Sequence, residues 1–354
     1  MNASMADYLR VVTPYLHPEL ASAEAMSHIQ KLAQTLPTFS KAMLEFRLGE
    51  GHSQGDLSVF SPCCIPNLPK TFLTHSSWQT LQDFCREWVE PTSFLHQCVE
   101  YIGLEFDLDE PPSQMQIPCI FVSWHRDTII DAQTLIEIVR RLSNKAISEK
   151  LKLKLRLCVD ALPDSANIAF LGVMLSRPNQ AVRVIVSGIP LPQFSDYLLQ
   201  IGWSEPTNQL SNLESTLSDF ADEFRLLSFD VGDTIYPRIG LEFLSEKQPK
   251  DESQWQLFLN HLVKTGLCTP AKQEALLAWP GASQKADQLE LWPPNLAGGD
   301  FLLGSKALSV FWRKINHIKI VYQPGNALEA KAYLLFSHDW FDVNALVRKE
   351  LLKT

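Results

Sequence analysis

Carboxylates and basic side chains at alternate positions of short strand patterns are the residues of this chain best suited to chemistry. The phrase Leu-Glu-Phe occurs three times, at 44–46, 104–106 and 241–243, each time within a strand pattern. Successive side chains of a strand point to opposite faces, so the leucine and phenylalanine share one face and the glutamate lies on the other. Charged groups collected on one face can pair with each other or bind a charged ligand. The pattern by itself names no reaction.

Other polar residues fall in step with these glutamates along the same or neighbouring strand patterns. Together with Glu45, Glu105 and Glu242, the predicted polar face carries Arg47, Asp107, Arg183, Arg238, Lys319, Lys331 and Tyr333. An antiparallel sheet with one solvated face would show the same alternation. The alternation is therefore compatible with an ordinary solvated surface as well as with a site.

Period-2 alternation predicts ten strands that come in five pairs, each pair joined by a loop. The pairs are 42–48 with 56–61, 101–108 with 118–124, 168–176 with 181–188, 226–231 with 237–244, and 317–322 with 328–336. The segments between the pairs repeat apolar residues at helical spacing, and two helices fit most of these gaps. Residues 192–201 and 210–224 fill one gap, and 254–265 and 270–279 fill another.

Two segments are harder to assign. Residues 151–157 alternate leucine with lysine or arginine like a strand, but they occupy the place of a second helix, and the repeat favours a helix over 151–160. Residues 292–304 are rich in proline and glycine, which predicts a surface loop.

These elements predict an α+β fold of repeated αα-ββ units in a single domain over residues 1–354, with the first hairpin at about 42–61 and the last at about 317–336. A ten-stranded antiparallel barrel surrounded by helices is favoured over an open sheet or a sandwich, because closure removes the exposed edges and large twisted sheets tend to curl or split. The polar face would then line the lumen of the barrel.

Composition excludes several classes of protein. The formal net charge of -9 over 354 residues argues against nucleic-acid binding, since no dense basic face offsets the repulsion from phosphates. The first 20 residues lack the features of a signal peptide and no window resembles a transmembrane helix, so we expect a cytoplasmic protein without a membrane span. The seven cysteines show no metal-ligand spacing, and GxGxxG, P-loop and GxSxG motifs do not occur. No metal site is expected.

The αα-ββ succession with a polar-lined barrel resembles the aromatic prenyltransferases of the ABBA, or PT-barrel, type. The resemblance covers about residues 41–336 and rests on the order of the elements. It implies an enzyme that transfers an isoprenoid group from an allylic diphosphate to an aromatic small molecule or peptide side chain. It also implies that no cofactor is required, with Mg²⁺ left open. Oligomeric state is not predicted.

The resemblance gives the charged residues specific roles. Arginines and lysines would hold the departing diphosphate, and a carboxylate near the acceptor would take up its proton. The candidates for the diphosphate cradle are Arg47, Arg183, Arg238, Lys319, Lys331 and Tyr333. Glu105 is the first candidate for the base, ahead of Glu45 and Glu242.

The carboxylates of the polar face leave a second interpretation open. They are numerous enough to neutralise the basic residues in structural ion pairs, and surplus carboxylates would repel a diphosphate. The alternative is therefore a non-catalytic barrel that binds a peptide or small molecule.

Overall fold

In the computed structural model, the chain folds into a β-barrel covered by helices. The structure describes residues 3–61, 70–108, 116–126, 128–143, 146–177, 181–205, 207–245 and 247–342. Eleven strands occur in these ranges: β1 Lys41–Arg47, β2 Gly55–Ser61, β3 Val99–Phe106, β4 Cys119–Trp124, β5 Asn167–Val173, β6 Val182–Ser187, β7 Phe224–Val231, β8 Ile235–Phe243, β9 Gly281–Gln284, β10 Ala307–Tyr322 and β11 Glu329–Asp342.

Two α-helices precede each of the first four hairpins, and three precede the last. The α-helices in the described ranges are α1 Met5–Val12, α2 Ala23–Thr35, α3 Ser76–Val89, α4 Phe94–Cys98, α5 Ala132–Leu142, α6 Glu149–Asp160, α7 Phe194–Gln200, α8 Thr207–Thr216, α9 Gln254–Lys264, α10 Pro270–Ala278 and α11 Pro294–Leu303. Several begin at a polar cap, as where the Thr269 hydroxyl accepts a hydrogen bond from the Lys272 amide and Pro270 fills the first turn. The predicted αα-ββ order is confirmed.

The sheet closes on itself. Its strand order is β11-β1-β2-β3-β4-β5-β6-β7-β8-β10, and β10 pairs with β11 to complete ten antiparallel strands. The prediction of a closed ten-stranded barrel surrounded by helices is therefore confirmed, and the open sheet is excluded. Closure leaves no free edge within the ring, because every strand has two hydrogen-bonded neighbours.

Strand parity separates the two faces of the barrel as the Leu-Glu-Phe phrases predict. The leucines and phenylalanines of all three phrases are buried in the core between sheet and helices. On β8, Phe243 stacks on Phe258 of α9 with ring centroids 4.0 Å apart, and Trp255 packs edge-on to the same ring. Each such buried aromatic contributes roughly 1.5–3 kcal/mol. This packing fixes the outer face and so directs the glutamates into the lumen.

The last hairpin is longer than the predicted 317–336. Strand β10 begins at Ala307 and β11 continues to Asp342. The register shifts between Ile315 and His317, and this bulge changes which residues face the helices. Before the bulge the core residues Phe311 and Ile315 have odd numbers, whereas after it the core residues of β10 have even numbers. Because the alternation of buried and lumen-facing residues changes phase at the bulge, a simple period-2 pattern does not detect the first half of the strand.

The extra length carries β9, which pairs with β10 outside the ten-stranded ring and was not predicted. The predicted loop at 292–304 is wrong over most of its length, because α11 occupies Pro294–Leu303. Its prolines stand at the helix start, where the missing amide hydrogen costs no bond.

Over 149–160 the ambiguous leucine-rich segment is a helix, as the repeat predicts. No helix among the described residues is long and apolar enough to cross a membrane.

Candidate active site

Two chambers in the barrel lumen share part of their lining in the described parts of the chain. One, which we call the charged chamber, has a volume of about 250 Å³ and is lined mainly by ionisable residues. The other, the aromatic chamber, has a volume of about 500 Å³ and includes several aromatic rings. Both chambers are lined by Glu105, Arg183, Lys319 and Tyr333, which form the boundary layer between them.

Buried ion pairs hold the cations of the lumen. The Lys331 ammonium lies 2.6 Å from the Glu45 carboxylate, and the Lys319 ammonium lies 3.0 Å from Glu242. The strand register produces the second pair directly, since Lys319 on β10 stands opposite Glu242 on β8. A charge-assisted bond of this kind is about twice as strong as a neutral one.

Arg183 has the most complete of these pairings. It stands opposite Asp230 across the β6–β7 ladder, and its guanidinium donates two hydrogen bonds to that carboxylate, at 2.7 and 3.0 Å. The bidentate geometry fixes the side chain, which lines both chambers. Arg183 can therefore present its charge at the boundary layer without moving.

Arg177 reaches the charged chamber from the segment that follows β5. Its guanidinium donates hydrogen bonds to Asp107 at 3.0 and 3.2 Å and to Glu105 at 3.2 Å. The Ser176 hydroxyl donates a further bond to Asp107 at 2.9 Å. The carboxylate predicted to be the base is thus held in place by a residue outside the strands.

A carboxylate at the rim bridges two arginines. The two oxygens of Glu329 accept bonds from Arg47 Nε and Arg238 Nη2, both at 3.2 Å. Arg238 remains 43% exposed, so this rim faces solvent. Among the residues that the structure describes, the charged chamber is lined by six basic residues, Arg47, Arg177, Arg183, Arg238, Lys319 and Lys331, and by five carboxylates, Glu45, Asp56, Glu105, Asp107 and Asp230. Its formal charge is close to balance, with one positive charge in excess.

The three candidate bases differ in their pKa values. Burial favours the neutral form of each, but Lys331, Tyr333 and Arg47 together lower the pKa of Glu45. In the same way Lys319, His317 and Arg183 together lower the pKa of Glu242. Burial and the nearby Glu45 charge instead raise the pKa of Glu105, despite the neighbouring arginines. Because a carboxylate with a raised pKa holds a proton more tightly, Glu105 is the strongest base of the three.

Several aromatic rings line the second chamber. Phe60, Tyr101, Phe121 and Phe170 contribute to its lining. At the boundary layer His317 stacks on Tyr333, with ring centroids 4.0 Å apart and planes inclined by 18°. Tyr333 stands directly opposite Glu45 across the β1–β11 ladder, and its hydroxyl helps to lower the pKa of that carboxyl group. Aromatic faces of this kind attract cations.

Gly240 makes room for one of the lumen cations. A Cβ atom at this position would lie 2.1 Å from Lys319 Cε, so any side chain here would displace the lysine. The glycine lies on β8, two residues before Glu242, and lines the charged chamber. It thereby leaves room over β8 for the lysine side chain, whose partner Glu242 lies on the same strand.

All nine residues predicted for the site line the lumen. Eight of them line the charged chamber, and Glu242 lines the aromatic one. Sequence reasoning missed Arg177, whose position in a loop gives it no strand parity, and Asp56 as a member of the chamber lining. Within the described ranges, no group of three or more histidine, cysteine, aspartate or glutamate side chains is arranged to hold a metal ion. Independence from metal stays a prediction.

Solved structures with the same architecture are known. The prenyltransferase PriB, in its apo form, superposes with a TM-score of 0.50 at 14% identity, over 93% of this chain and 94% of that one. The chain has the PT-barrel fold. The predicted resemblance in fold to ABBA-type aromatic prenyltransferases is confirmed.

Two further structures align over most of the chain. The 5-dimethylallyl tryptophan synthase of Streptomyces coelicolor, in complex with DMASPP and Trp, gives a TM-score of 0.48 at 13% identity, over 94% of this chain and 95% of that one. AnaPT from Neosartorya fischeri gives 0.48 at 12% identity, over 93% and 85%. No protein-family model and no curated protein sequence matches the chain.

Proposed function

We propose that the protein transfers an isoprenoid group from an allylic diphosphate to an aromatic small molecule or peptide side chain. The observation that carries the proposal is the division of one closed lumen into a cation-bearing chamber and an aromatic chamber that meet at Glu105. Such a transfer needs an anion-binding end, a water-poor path for a carbocation and a base beside the acceptor. The names of the solved structures with this fold support the same reaction class.

In the proposed reaction the diphosphate occupies the charged chamber. Arg183 and Lys319 would contact it from the boundary layer, and Arg47, Arg238 and Lys331 from the remaining wall. The allylic carbon–oxygen bond breaks heterolytically, and the electron pair leaves with the diphosphate. Fixed cations stabilise the charge that develops on the leaving oxygen, because they need little reorientation.

The allylic cation then lies next to the stacked rings of His317 and Tyr333, which attract positive charge. An aromatic acceptor in the second chamber attacks the cation and forms the new carbon–carbon or carbon–heteroatom bond. Glu105 accepts the proton that the acceptor loses, which restores the neutral aromatic product. The raised pKa of Glu105 suits this step.

Binding of the donor can be tested without knowing the acceptor. Calorimetric titration with dimethylallyl thiolodiphosphate, whose sulfur leaving group resists ionisation, should give saturable binding. Lys331→Met should weaken it at least about tenfold, because a charge-assisted bond to a phosphate oxygen is lost. Arg140→Gln is the matched control, since Arg140 is exposed on α5 and pairs only with Glu137 among the contacts described. No saturable binding by the unaltered protein would contradict the proposal.

One observation favours a second candidate function. Each basic residue of the charged chamber already has a carboxylate within 4.0 Å. A barrel that binds a peptide or small molecule without reacting with it would need no free cations. Tight peptide binding that persists in Glu105→Gln, together with no response to any isoprenoid diphosphate, would favour this candidate.

A further inference from the structure

A buried lysine outside the barrel holds the end of β1 and the β1–β2 turn, residues 48–54. Lys272 lies on α10 and is only 4% exposed. Its ammonium donates hydrogen bonds to three backbone carbonyls, those of Arg47 at 2.8 Å, Gly49 at 3.0 Å and His52 at 2.5 Å. An ammonium has three hydrogens to donate, so each of them is used once. The lysine is therefore fully engaged by one short segment of backbone.

Lys272 has no carboxylate partner that would account for its burial. Among the residues that the structure describes, no ion pair involves it, and Glu19 acts on it only at longer range. A buried ammonium has lost its hydration, and this loss is costly unless other polar groups replace the water. Here the three carbonyls of the segment replace it. The lysine and the backbone of the turn therefore depend on each other.

The β1–β2 turn is held from outside rather than by itself. No backbone hydrogen bond links two residues of the turn, all of which the structure describes. Besides Lys272, the Thr269 amide donates to the Leu48 carbonyl at 3.2 Å, and the Ser22 amide donates to the Ser53 carbonyl at 3.0 Å. Lys272 contributes more hydrogen bonds to the segment than either amide does, so we expect the segment to shift when the lysine is replaced.

Helix α10 gives Lys272 a firm support. The helix begins after Thr269, whose hydroxyl caps it, and its Leu276 side chain is fully buried in the core. Next to the lysine, the Gln273 amide donates a hydrogen bond to the Asn260 side chain of α9 at 2.6 Å. The helical layer therefore fixes the position of the ammonium, and the turn conforms to it.

The segment that Lys272 holds begins with a residue of the charged chamber. Arg47 is the last residue of β1, and its side chain lines this chamber and pairs with Glu329 at the rim. The carbonyl and the side chain of Arg47 branch from the same Cα, so a shift of the carbonyl moves the guanidinium as well. Displacing a group of a site by about 1 Å can cost about a hundredfold in rate.

We propose that Lys272 is a positioning residue for the diphosphate site. From outside the barrel it holds the Arg47 end of β1, and it thereby sets where the Arg47 guanidinium lies in the charged chamber. Lys272 does not itself line this chamber, so it acts only through the segment that it holds. The inference rests on the proposed function, because that function assigns the charged chamber to the diphosphate.

A double-variant cycle tests whether Lys272 acts through Arg47. Calorimetry measures the binding of inorganic diphosphate to the unaltered protein, Lys272→Met, Arg47→Met and the double variant, at a temperature where circular dichroism shows each to be folded. We expect Lys272→Met to weaken binding about tenfold. The double variant should bind within about twofold of Arg47→Met, because the lysine then has no guanidinium to position. Lys264→Met, at an exposed lysine that ends α9, is the matched control and should bind like the unaltered protein.

Hydrogen exchange gives a second readout that needs no ligand. The Leu48 amide donates to the Ala330 carbonyl at 2.8 Å and so extends the β1–β11 ladder into the turn. Its exchange, followed by mass spectrometry of peptides from this end of β1, should be faster in Lys272→Met and unchanged in Lys264→Met. If Lys272→Met does not fold, Lys272→Gln, which keeps an amide donor, replaces it in both measurements.

Three results would overturn the role of Lys272. These are diphosphate binding by Lys272→Met that equals binding by the unaltered protein, losses that multiply in the double variant, and unchanged exchange of the Leu48 amide. Absence of diphosphate binding by the unaltered protein would instead contradict the proposed function, and the role of Lys272 would fail with it. Because the unaltered protein is measured in the same series, the two kinds of failure are distinguishable.

Discussion

The pair of Lys331 and Glu45 allows the energetic role of the lumen charges to be measured. The two groups are 2.6 Å apart, with only 10% and 7% of their side chains exposed. Removing one partner of a buried pair leaves an uncompensated charge and costs about 3–5 kcal/mol. Tyr333 stands opposite Glu45 and still favours its charged form when Lys331 is replaced. We therefore expect Lys331→Met to lower the free energy of unfolding by about 3 kcal/mol, at the lower end of that range.

The double variant isolates the interaction. Glu45→Gln with Lys331→Met removes both charges, so its cost should be smaller than the sum of the single costs by about 2–3 kcal/mol. Urea unfolding at pH 7, followed by both tryptophan fluorescence and circular dichroism, measures the free energy of unfolding of the unaltered protein, the two single variants and the double variant. Lys331 lowers the pKa of Glu45, so the pair stabilises the fold above the unfolded glutamate pKa of about 4.3 and loses this effect as the pH falls further. Additive single costs, or single costs below about 1 kcal/mol, would refute this account of the lumen.

Two further predictions concern the rim and the outer face. Glu329→Gln removes the carboxylate that bridges the two rim arginines, so inorganic diphosphate should bind several-fold more tightly. Isothermal calorimetry measures this affinity. Weaker binding would contradict the prediction and would mean that the carboxylate orients the arginines. Burial lowers the pKa of His338 to about 4, so the folded state resists protonation and stability should decline as the pH falls from about 6.5 to 4. His338→Gln should flatten this part of the curve of unfolding free energy against pH, and an unchanged slope would assign the decline to other groups.

Much of the barrel could be predicted because strand alternation is a local property. Leu104 and Phe106 face the helices, and this alone directs Glu105 inward whatever its partners are. The same reasoning applies to the other two glutamates. Closure could be argued from the cost of free edges, without knowledge of any single contact.

The rest depends on contacts between distant parts of the chain. Arg177 is 72 residues from Glu105 and lies outside the strands, so no periodic pattern associates the two. The bulge at Ile315 and His317 reverses the alternation of β10 and hides its first half. The balance of charge in the lumen also depends on three-dimensional pairing, as with Glu329 at the start of β11.

Transfer of an isoprenoid group from a diphosphate donor to an aromatic acceptor beside Glu105 is the reaction that we propose for the lumen. Its most direct test incubates the protein with dimethylallyl diphosphate and aromatic acceptors, and follows prenylated product by mass spectrometry together with released diphosphate. We expect both products in equal amounts, with a rate about a hundredfold or more lower in Glu105→Gln, whose amide cannot accept the proton. Absence of both products with every aromatic amino acid, phenol and indole tried, or an unchanged rate in Glu105→Gln, would contradict it.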